Sequence, residues 1–359
     1  MGGPSVLVAM SGGVDSSVAA CLLHEQGYEV LGSHMNLVHL DGVEHGCCGP
    51  RARADAAEVA RLGGFPFEIC DLSEEFAAAV IGDFVAEHEA GRTPNPCARC
   101  NGEIKFGAFL RRADLLGVDA VATGHYVRRV RGDDGAWRLL RGADRAKDQT
   151  YMLHMLGQRE LSRSLFPIGS MAKSETRRHA ERLGLPVAGK PDSQDLCFAP
   201  GGGASGFVPS LAPHLEREGE IADVDGRILG HHRGSFAFTV GQRRGLGVAL
   251  GEPAYVIDVD ARANRVVVGP GELLARRGLV ADRMSWIAGG PPAPAPFECG
   301  VQIRYRADHV PAVVEPLGDG ARVRVEFRTA QRAVAPGQSA VVYLGDEVLG
   351  GGRIVEAIR

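Results

Sequence analysis

The sequence predicts an α/β protein with a doubly wound, mostly parallel sheet at its N-terminus, then a small β-rich central domain and a C-terminal antiparallel β-barrel. Two patterns lead to this prediction. Up to about residue 195, apolar strand candidates alternate with amphipathic helix candidates, as in parallel sheets with crossover helices. Further on, short strand candidates follow one another, which is typical of small barrels. We expect domains at residues 1–205, 206–278 and 279–359.

The composition is that of an ordinary globular protein. Of the 359 residues, 45% are hydrophobic and 23% are charged, and no apolar run reaches membrane-spanning length. Because a basic segment followed by an apolar signal core is also missing, we expect a cytoplasmic protein with no membrane partner. The net charge of −4 means that a nucleic-acid partner would have to bind local basic patches. Eight cysteines are too few for a disulfide scaffold and favour metal binding or catalysis.

The chain is organised around residues 6–17. An apolar run predicts a buried strand, which breaks at Ser11-Gly12-Gly13, and Asp15 then opens a run of helical composition. A glycine-rich turn between a strand and a helix brings backbone N–H groups close to a ligand, an arrangement that binds phosphate. The Gly-Lys-Ser/Thr ending of the common nucleotide loop is missing. We therefore expect this loop to bind pyrophosphate together with a metal ion. The alternative is an ordinary tight turn.

The other elements of the first half continue the alternation. Strands are predicted at residues 30–35, 66–70 and 120–124, and helices at residues 53–62, 74–87 and 104–116. Because the carboxyl ends of parallel strands lie at one edge, Met35 and Gly124 should join the glycine loop in one nucleotide site. Between Arg128 and Lys147 stand seven basic and three acidic residues, a segment that could also be a solvated hairpin.

The second half begins with a glycine-rich stretch at residues 200–206, which we expect to be flexible and to act as a hinge. A proline-rich loop or linker is predicted at residues 289–296. The predicted strands are at residues 235–239, 254–259 and 265–268 in the central domain, and at 300–306, 312–316, 322–327, 340–344 and 353–358 in the barrel.

Cys97 and Cys100 occupy a stretch in which two prolines disfavour regular structure, so we expect a rigid loop ahead of the helix at residue 104. A thiol near a helix N-terminus and beside Arg99 and Lys105 has a lowered pKa and a larger thiolate fraction. Cys100 is therefore a candidate nucleophile.

Cys197 lies just before the glycine-rich stretch, where a hinge could present its thiol to a partner. The alternative is a buried, inert thiol, which fits Cys21 and Cys70 better because both lie in apolar runs.

A further group, His34, His39, His45, Cys47 and Cys48, has the residue types of a metal site. Adjacent cysteines rarely bind one tetrahedral zinc together, and no second Cys-x-x-Cys follows at the usual spacing, so we favour an ordinary loop. We also expect residues 231–232, two adjacent histidines, to form a surface turn.

Several short motifs follow one another along the chain. They are Ser-Gly-Gly-Val-Asp-Ser at residues 11–16, Thr-Pro-Asn-Pro at 93–96, Cys-Asn at 100–101, Gly-His-Tyr at 124–126, Lys-Asp-Gln at 147–149, Asp-Ser-Gln-Asp at 192–195 with Cys197, Gly-Gln-Arg at 241–243, Arg-Tyr-Arg at 304–306 and Pro-Gly-Gln-Ser at 336–339. Together they resemble the tRNA-specific 2-thiouridylases, the MnmA/TrmU family of the PP-loop ATP pyrophosphatases. The resemblance covers nearly the whole chain.

The resemblance implies a Rossmann-like PP-loop domain that uses ATP and Mg²⁺ to adenylate an oxygen and releases pyrophosphate. Asp15 would act near the magnesium and the pyrophosphate. The implied ATP-binding residues are Ala9, Met10, Ser11, Gly12, Gly13, Val14, Asp15, Ser16, Met35 and Gly124.

The implied substrate is the wobble uridine in the anticodon arm of tRNA, which must be flipped out because its C2 oxygen cannot be reached within a stack. Asn95, Pro96 and Cys97 would face this base. The other implied tRNA contacts are His125, Lys147, Asp148, Gln149, Arg304, Tyr305 and Gln338.

For the sulfur, the resemblance implies a persulfide on Cys197, loaded by a cysteine desulfurase or a sulfur-relay protein. Cys100 would attack this persulfide as the nucleophile and leave a transient, catalytic Cys100–Cys197 disulfide. Many family members carry Asp where this chain has Cys97. Cys97 here completes a Cys-x-x-Cys, a spacing that suits two metal ligands. A second scheme stays open, in which Cys97, Cys100 and Cys197 hold a four-iron-four-sulfur cluster that activates sulfide.

Two rival interpretations remain. Another PP-loop AMP-forming synthetase would use the same loop, but it would need an ammonia source and would give Cys100 and Cys197 no role. A non-catalytic RNA-binding protein would use the barrel and would not need the intact loop.

Overall fold

The computed structural model describes residues 3–38, 49–192, 196–199, 203–248 and 252–359. In these ranges the strands are β1 (Ser5–Ala9), β2 (Glu29–Asn36), β3 (Phe67–Asp71), β4 (Ala120–Ala122), β5 (Val127–Arg131), β6 (Trp137–Arg141), β7 (Ser164–Leu165), β8 (Gly219–Ala222), β9 (Ile228–His232), β10 (Tyr255–Asp260), β11 (Arg265–Gly269), β12 (Ala275–Trp286), β13 (Phe297–Gln302), β14 (Val310–Leu317), β15 (Arg322–Arg332), β16 (Ser339–Leu344) and β17 (Glu347–Ile358).

The α-helices in the same ranges are α1 (Val14–Glu25), α2 (Pro50–Gly63), α3 (Ser73–Phe76), α4 (Gly82–Glu89), α5 (Pro96–Cys100), α6 (Phe109–Leu116), α7 (Gln158–Ser162), α8 (Lys173–Arg182) and α9 (Gly203–Leu211). Two π-helical turns, Ala77–Ile81 and Asn101–Ala108, join α3 to α4 and α5 to α6. None of the helices described has the length and apolar character needed to cross a membrane.

β1 is the middle strand of a five-stranded parallel sheet of order β3-β2-β1-β4-β7. Val6 and Val8 pack into one hydrophobic core and Leu7 into the other, so both faces are covered and the strand is a continuous apolar run. The strand order reverses between β1 and β4, which opens a crevice at their carboxyl ends. The predicted doubly wound sheet is confirmed, and the glycine loop lies at this crevice.

α5 begins well before the helix start predicted at residue 104. Asn95 Oδ1 accepts a hydrogen bond from the backbone N–H of Ala98 at 3.2 Å, and Pro96 takes the first helical position. An Asn cap followed by proline is a strong helix-start signal. The prediction of a rigid loop over Cys97 and Cys100 is therefore wrong, because both thiols lie on α5, three positions apart and on one side of the helix.

The central domain is a four-stranded sheet of order β10-β11-β8-β9, in which β8 and β11 run parallel. The strand predicted at residues 235–239 is wrong, since Ser235–Ala237 is a 3₁₀ turn whose Phe236 packs into a core of the first domain. The surface turn predicted at residues 231–232 is also wrong. Both histidines lie in β9, where the alternation of a strand exposes His231 and buries His232.

The predicted hinge lies partly outside the described residues, because residues 200–202 are not among them. Residues 203–206 belong to α9, so the prediction of a flexible stretch is wrong for this part. The reason is tertiary packing: Val208 is fully buried and the Phe207 ring lies 5.0 Å from that of Phe198, which outweighs the low helix propensity of glycine.

Six antiparallel strands in the order β12-β15-β14-β13-β16-β17 form the C-terminal barrel, which pairing between β12 and β17 closes. Closure leaves the barrel without an open edge. β12 was not predicted, because arginine and aspartate residues interrupt its apolar positions. The strand predicted at residues 300–306 ends at Gln302, so Arg304 and Tyr305 lie in the turn after β13.

The basic segment at residues 128–147 forms the hairpin β5–β6, which docks on the barrel through pairing of β6 with β17. The hairpin of the alternative interpretation is confirmed and its turn is exposed, but Leu139 is fully buried and four of the arginines bind carboxylates. The ion pairs are Arg128–Asp346 at 3.2 Å, Arg138–Glu347 at 3.0 Å, Arg141–Asp148 at 3.0 Å and Arg145–Asp346 at 2.5 Å.

A buried ionic cluster makes a second junction between the first domain and the barrel. Glu87 of α4 accepts a hydrogen bond from Arg92 at 2.6 Å and contacts Arg353 of β17, which also binds Asp282 of β12 at 2.7 Å. Burial raises the pKa of Glu87, but the two guanidinium groups outweigh burial and lower it. The stabilisation is thus present at neutral pH and is lost as the pH falls below the usual glutamate value of 4.5. Removing one partner of such a cluster costs about 3–5 kcal/mol.

Candidate active site

The glycine loop connects β1 to α1 and packs tightly against α2 and the segment after β4. Gly12 has a φ of +70°, and a Cβ there would come within 2.1 Å of the Ala52 carbonyl oxygen. A Cβ on Gly124, after β4, would lie 2.6 Å from the backbone nitrogen of Ser16. Both positions therefore require glycine, and the loop and Gly124 form one continuous backbone surface.

The first turn of α1 points its N–H groups into the crevice. Among the described residues, no side chain caps this helix at Gly13, and the Ser17 hydroxyl donates to the Gly13 carbonyl at 2.8 Å instead. Uncapped N–H groups at a helix N-terminus bind anions. Met35 is half-buried near the carboxyl end of β2, the strand next to β1. The predicted nucleotide residues thus occupy one edge of the sheet.

Asp15 lies beside the loop and is bound by a lysine that the sequence analysis missed. Lys173 Nζ lies 2.7 Å from Asp15 Oδ1 and 2.8 Å from Asp15 Oδ2. The phenol of Tyr126 donates to Asp15 Oδ1 at 2.8 Å. Burial raises the pKa of this phenol. A second lysine, Lys190, donates to the Gly12 carbonyl at 2.8 Å.

Lys147, predicted to contact tRNA, lies at the same place. Its Nζ is 2.9 Å from Asp192 Oδ2, and Lys173 Nζ is 2.8 Å from Asp192 Oδ1. Burial raises the pKa of Asp192, but the two ammonium groups outweigh burial and lower it to about 2. Asp192 therefore stays ionised and connects the loop to the chain segment that leads to Cys197.

His125, Asp148 and Gln149, also predicted to contact tRNA, make internal hydrogen bonds in this structure. His125 is buried, its Nδ1 lies 2.8 Å from Thr123 Oγ1, and burial lowers its pKa well below the usual range. Asp148 Oδ1 accepts the N–H of Gly142 at 3.0 Å, and Gln149 Oε1 accepts that of Tyr126 at 2.9 Å. Their contact with tRNA stays a prediction.

Cys100 and Cys197 pack on one hydrophobic core. Cys100 is buried within this core, and the half-buried Cys197 packs against it. The residues next to them in sequence contact one helical segment, residues 73–89. Arg99 donates to the Ala79 carbonyl at 3.2 Å, and the Phe198 ring lies 5.2 Å from that of Phe84. Cys97 is exposed.

The barrel holds the loop before α5. Gln338 donates to the Thr93 carbonyl at 2.9 Å, and a Cβ on Gly337 would lie 2.7 Å from Thr93, so the two chains are in close contact. The Asn95 amide donates to Ser339 Oγ at 3.4 Å. Residues 95–97, predicted to face the base, and Gln338 therefore share one junction between the first domain and the barrel.

Arg304 and Tyr305 are exposed beside this junction. Tyr305 is 40% exposed, and its ring lies 6.3 Å from the ring of Tyr151, whose hydroxyl donates to the Ser339 carbonyl at 3.0 Å. Arg306 stacks over the Tyr305 ring at 5.4 Å. An exposed aromatic ring next to arginine is suited to stacking an RNA base.

Three family models match the chain in order. Residues 4–201 match the tRNA methyl transferase HUP domain, residues 210–270 the tRNA methyl transferase PRC-barrel domain and residues 276–354 the aminomethyltransferase beta-barrel domain. Similar curated proteins are each named tRNA-specific 2-thiouridylase MnmA. The one from Chloroflexus aurantiacus is 48% identical over 98% of both chains. Those from Roseiflexus sp. and Geobacter metallireducens are each 47% identical, over 97% and 98% of this chain and 98% and 97% of their own.

The chain belongs to the tRNA-specific 2-thiouridylase family.

The donor atoms around the loop of this thiouridylase fit Mg²⁺. Magnesium usually keeps several waters and binds through one or two carboxylates together with substrate phosphates. Asp15 supplies one such carboxylate beside the phosphate-binding backbone. Asp192 shares Lys173 with Asp15, and Asp55 shares Lys190 with the Gly12 carbonyl of the loop.

Cys97 and Cys100, two of the three cysteines of the alternative iron-sulfur scheme, lie on α5, and the third, Cys197, lies before α9. Within the described ranges, no three His, Cys, Asp or Glu side chains gather closely enough to hold a metal ion. Of the other candidate metal group, His34 has its Nδ1 2.9 Å from the Met10 carbonyl oxygen. His39, His45, Cys47 and Cys48 lie outside the described residues.

Lys173 and Lys190 could have been predicted as site residues, because lysine is rare in this sequence. The 40 Lys and Arg of this thiouridylase include four lysines, so arginine is used nearly everywhere else. Lys147, Lys173 and Lys190 all lie at the loop or on Asp192. A lysine suits these positions because its ammonium is a compact point charge with three donors.

Proposed function

We propose that this protein is an ATP-dependent tRNA-uridine 2-sulfurtransferase of the cytoplasm, which converts the wobble uridine of tRNA to 2-thiouridine and releases AMP and pyrophosphate. The observation that carries the proposal is the packing of Cys100 and Cys197 on one core, in the same domain as a phosphate-binding loop with Asp15. A simple nucleotide-binding protein would need the loop alone.

In the proposed first step, the C2 oxygen of a flipped-out uridine attacks the α-phosphate of ATP, and pyrophosphate leaves. The N–H groups at the start of α1 and the backbone around Gly12 and Gly124 would hold the phosphates. Mg²⁺, held by Asp15, would neutralise charge on the leaving pyrophosphate. Adenylation turns a poor leaving group, the C2 oxygen, into AMP.

In the proposed second step, the Cys100 thiolate attacks the inner sulfur of a Cys197 persulfide. A Cys100–Cys197 disulfide forms, and hydrosulfide leaves with the electron pair of the broken S–S bond. The hydrosulfide adds to C2, AMP departs and 2-thiouridine remains. A dithiol reductant then reduces the disulfide, and a cysteine desulfurase or sulfur-relay protein reloads Cys197.

The proposal is tested by tRNA-dependent exchange of pyrophosphate into ATP, followed by mass spectrometry of the wobble nucleosides. Exchange that requires tRNA, together with 2-thiouridine formation when a sulfur donor is added, supports the proposal. Exchange without tRNA would point instead to another AMP-forming synthetase, and tRNA binding without any exchange to a non-catalytic RNA-binding protein.

Arg304 is proposed to bind a tRNA phosphate, next to the exposed ring of Tyr305. Arg304→Ala should weaken tRNA binding and reduce its salt dependence by a slope of about one. The rate at saturating tRNA should change less. Arg328→Ala, which removes an exposed arginine of the same barrel paired with Glu298, is the matched control. An unchanged salt slope for Arg304→Ala would mean that tRNA binds elsewhere.

Cys97 decides between the two sulfur schemes, because only the cluster needs it as a ligand. We favour the persulfide scheme, in which the exposed Cys97 faces the base pocket. Cys97→Asp, purified without oxygen, should keep thiolation activity while iron and acid-labile sulfide stay absent from it and from the wild type. Loss of both iron and activity on this one change would establish the cluster instead.

A further inference from the structure

Lys105 is the fourth lysine of the chain, and it differs from the other three in having no carboxylate partner. It is half-buried on the π-helical turn Asn101–Ala108. Its neighbour Glu103 pairs with Arg99 at 2.9 Å, and within the described ranges Lys105 has neither an ion pair nor a hydrogen bond. A partly desolvated ammonium without a partner is unfavourable, so this position suits an anion that binds there.

The π-helical turn brings Lys105 to the side of the helix that carries Cys100. In an α-helix, a residue five positions further on is rotated by about 140° from the first. The hydrogen bonds of a π-helix join residues five apart, so the side chain at position 105 returns to nearly the same side as that at position 100. π-Helical turns are rare and occur frequently at functional sites. Lys105 therefore lies one turn beyond the proposed nucleophile.

Lys105 also lies close to the glycine loop. The ring of Phe106, the next residue, lies 6.1 Å from the ring of His125. Burial lowers the pKa of His125, and the nearby ammonium of Lys105 lowers it further. A Cβ on Gly124, the residue before His125, would lie 2.6 Å from the backbone nitrogen of Ser16 in the loop. The ammonium is thus placed between the proposed nucleophile and the phosphate-binding backbone.

We propose that Lys105 is a further catalytic residue, which binds the α-phosphate of ATP, the phosphate that stays on the uridine after pyrophosphate has left. The inference rests on the proposed function. The other three lysines are held by carboxylates at the loop or on Asp192, which leaves the ammonium of Lys105 available to this phosphate.

The ammonium stabilises charge in both steps and transfers no proton. When the C2 oxygen attacks, negative charge is spread over the non-bridging oxygens of the α-phosphate. When hydrosulfide adds to C2, the electron pair of the C2–O bond leaves with AMP, which departs as a dianion. The proton of the hydrosulfide ends on N3 of the uracil and replaces the one lost on adenylation. A fixed cation beside the α-phosphate lowers both barriers.

The test is the rate of tRNA-dependent pyrophosphate exchange in a Cys100→Ser parent, in which position 100 has no thiol. Adding Lys105→Met should lower this rate at saturating ATP and tRNA by about 10²–10³-fold, the loss typical of one electrostatic group at developing charge. The KM for ATP should change little. Lys105→Arg keeps the charge and should be faster than Lys105→Met. An unchanged rate in Lys105→Met would overturn the proposal, because Lys105 would then act on the thiol alone.

A second measurement detects the contact itself. ATP with sulfur in place of one non-bridging α-oxygen has two diastereomers, and one of them should slow exchange by the parent more than exchange by Lys105→Met. The lysine and the oxygen that it contacts are then coupled, as in a double-mutant cycle. Equal slowing of both proteins by both diastereomers would overturn the proposal.

Arg111→Met is the matched control, because Arg111 is an exposed basic residue of α6, on the same run of helix. It should exchange pyrophosphate at the rate of the parent. The two proposals fail in different ways. A wild-type protein without tRNA-dependent exchange would overturn the proposed function and this inference with it, whereas exchange that Lys105→Met retains in full would overturn this inference alone.

Discussion

A Cys197→Ser enzyme should adenylate tRNA but transfer no sulfur. A serine oxygen cannot carry a persulfide, so 2-thiouridine formation should fall by roughly 10⁴-fold or more, as in other enzymes that lose a reacting nucleophile. Cys197 lies outside the glycine loop, so tRNA-dependent pyrophosphate exchange should continue. The measurement is single-turnover formation of 2-thiouridine, run alongside the exchange assay.

Cys100→Ser separates the two thiols. This variant should still accept sulfur on Cys197 but fail to release it, so the persulfide should accumulate and be visible by mass spectrometry of the intact protein. Cys299→Ser is the control, since Cys299 is a half-buried thiol of the barrel whose pKa burial raises to about 12. Sulfur transfer at the wild-type rate by Cys197→Ser would refute the persulfide scheme.

Asp15→Ala should abolish adenylation while leaving tRNA binding nearly intact. The variant removes the carboxylate beside the phosphate-binding backbone, and the exchange rate should fall by at least about 10²–10³-fold, the loss typical of one such electrostatic group. tRNA affinity should persist because Arg304 and Gln338 lie at the junction with the barrel. Exchange and equilibrium tRNA binding are measured on the same preparation.

Two further variants control this experiment. Asp15→Asn keeps the shape of the side chain and an acceptor for Lys173, so it should fold even if Asp15→Ala leaves the buried ammonium underpaired. Asp114→Ala removes an exposed aspartate that pairs with Arg163, and it should exchange pyrophosphate normally. An Asp15→Asn enzyme with unimpaired thiolation would remove the basis for the pyrophosphatase mechanism.

The parallel sheet and its loop were predictable because local sequence determines them. Residues 6–17 contain a buried strand, a glycine turn and a helix start in one short stretch, and the structure contains them in that order. The start of α5 could also have been predicted, since Asn95 and Pro96 are a standard N-cap and first helical residue. It was not, because the prolines were interpreted as helix breakers.

Contacts between distant parts of the chain could not be predicted in this way. Lys173 meets Asp15 across 158 residues, and Gln338 meets Thr93 across 245. No periodicity or spacing encodes such pairs. α9 shows the same limit, because its glycine-rich start forms a helix only where Phe207 and Val208 find a core to pack on.

The docking of β6 on β17 has a consequence for how the protein matures. Ribosomes make the β5–β6 hairpin long before its partner strand: Arg138 and Glu347 are 209 residues apart. At roughly 5–20 residues per second, that interval is about 10–40 s. During this time β6 lacks its partner β17, and an unpaired strand edge is a hazard for aggregation. The junction between this hairpin and the barrel is therefore completed only as a late event of biogenesis.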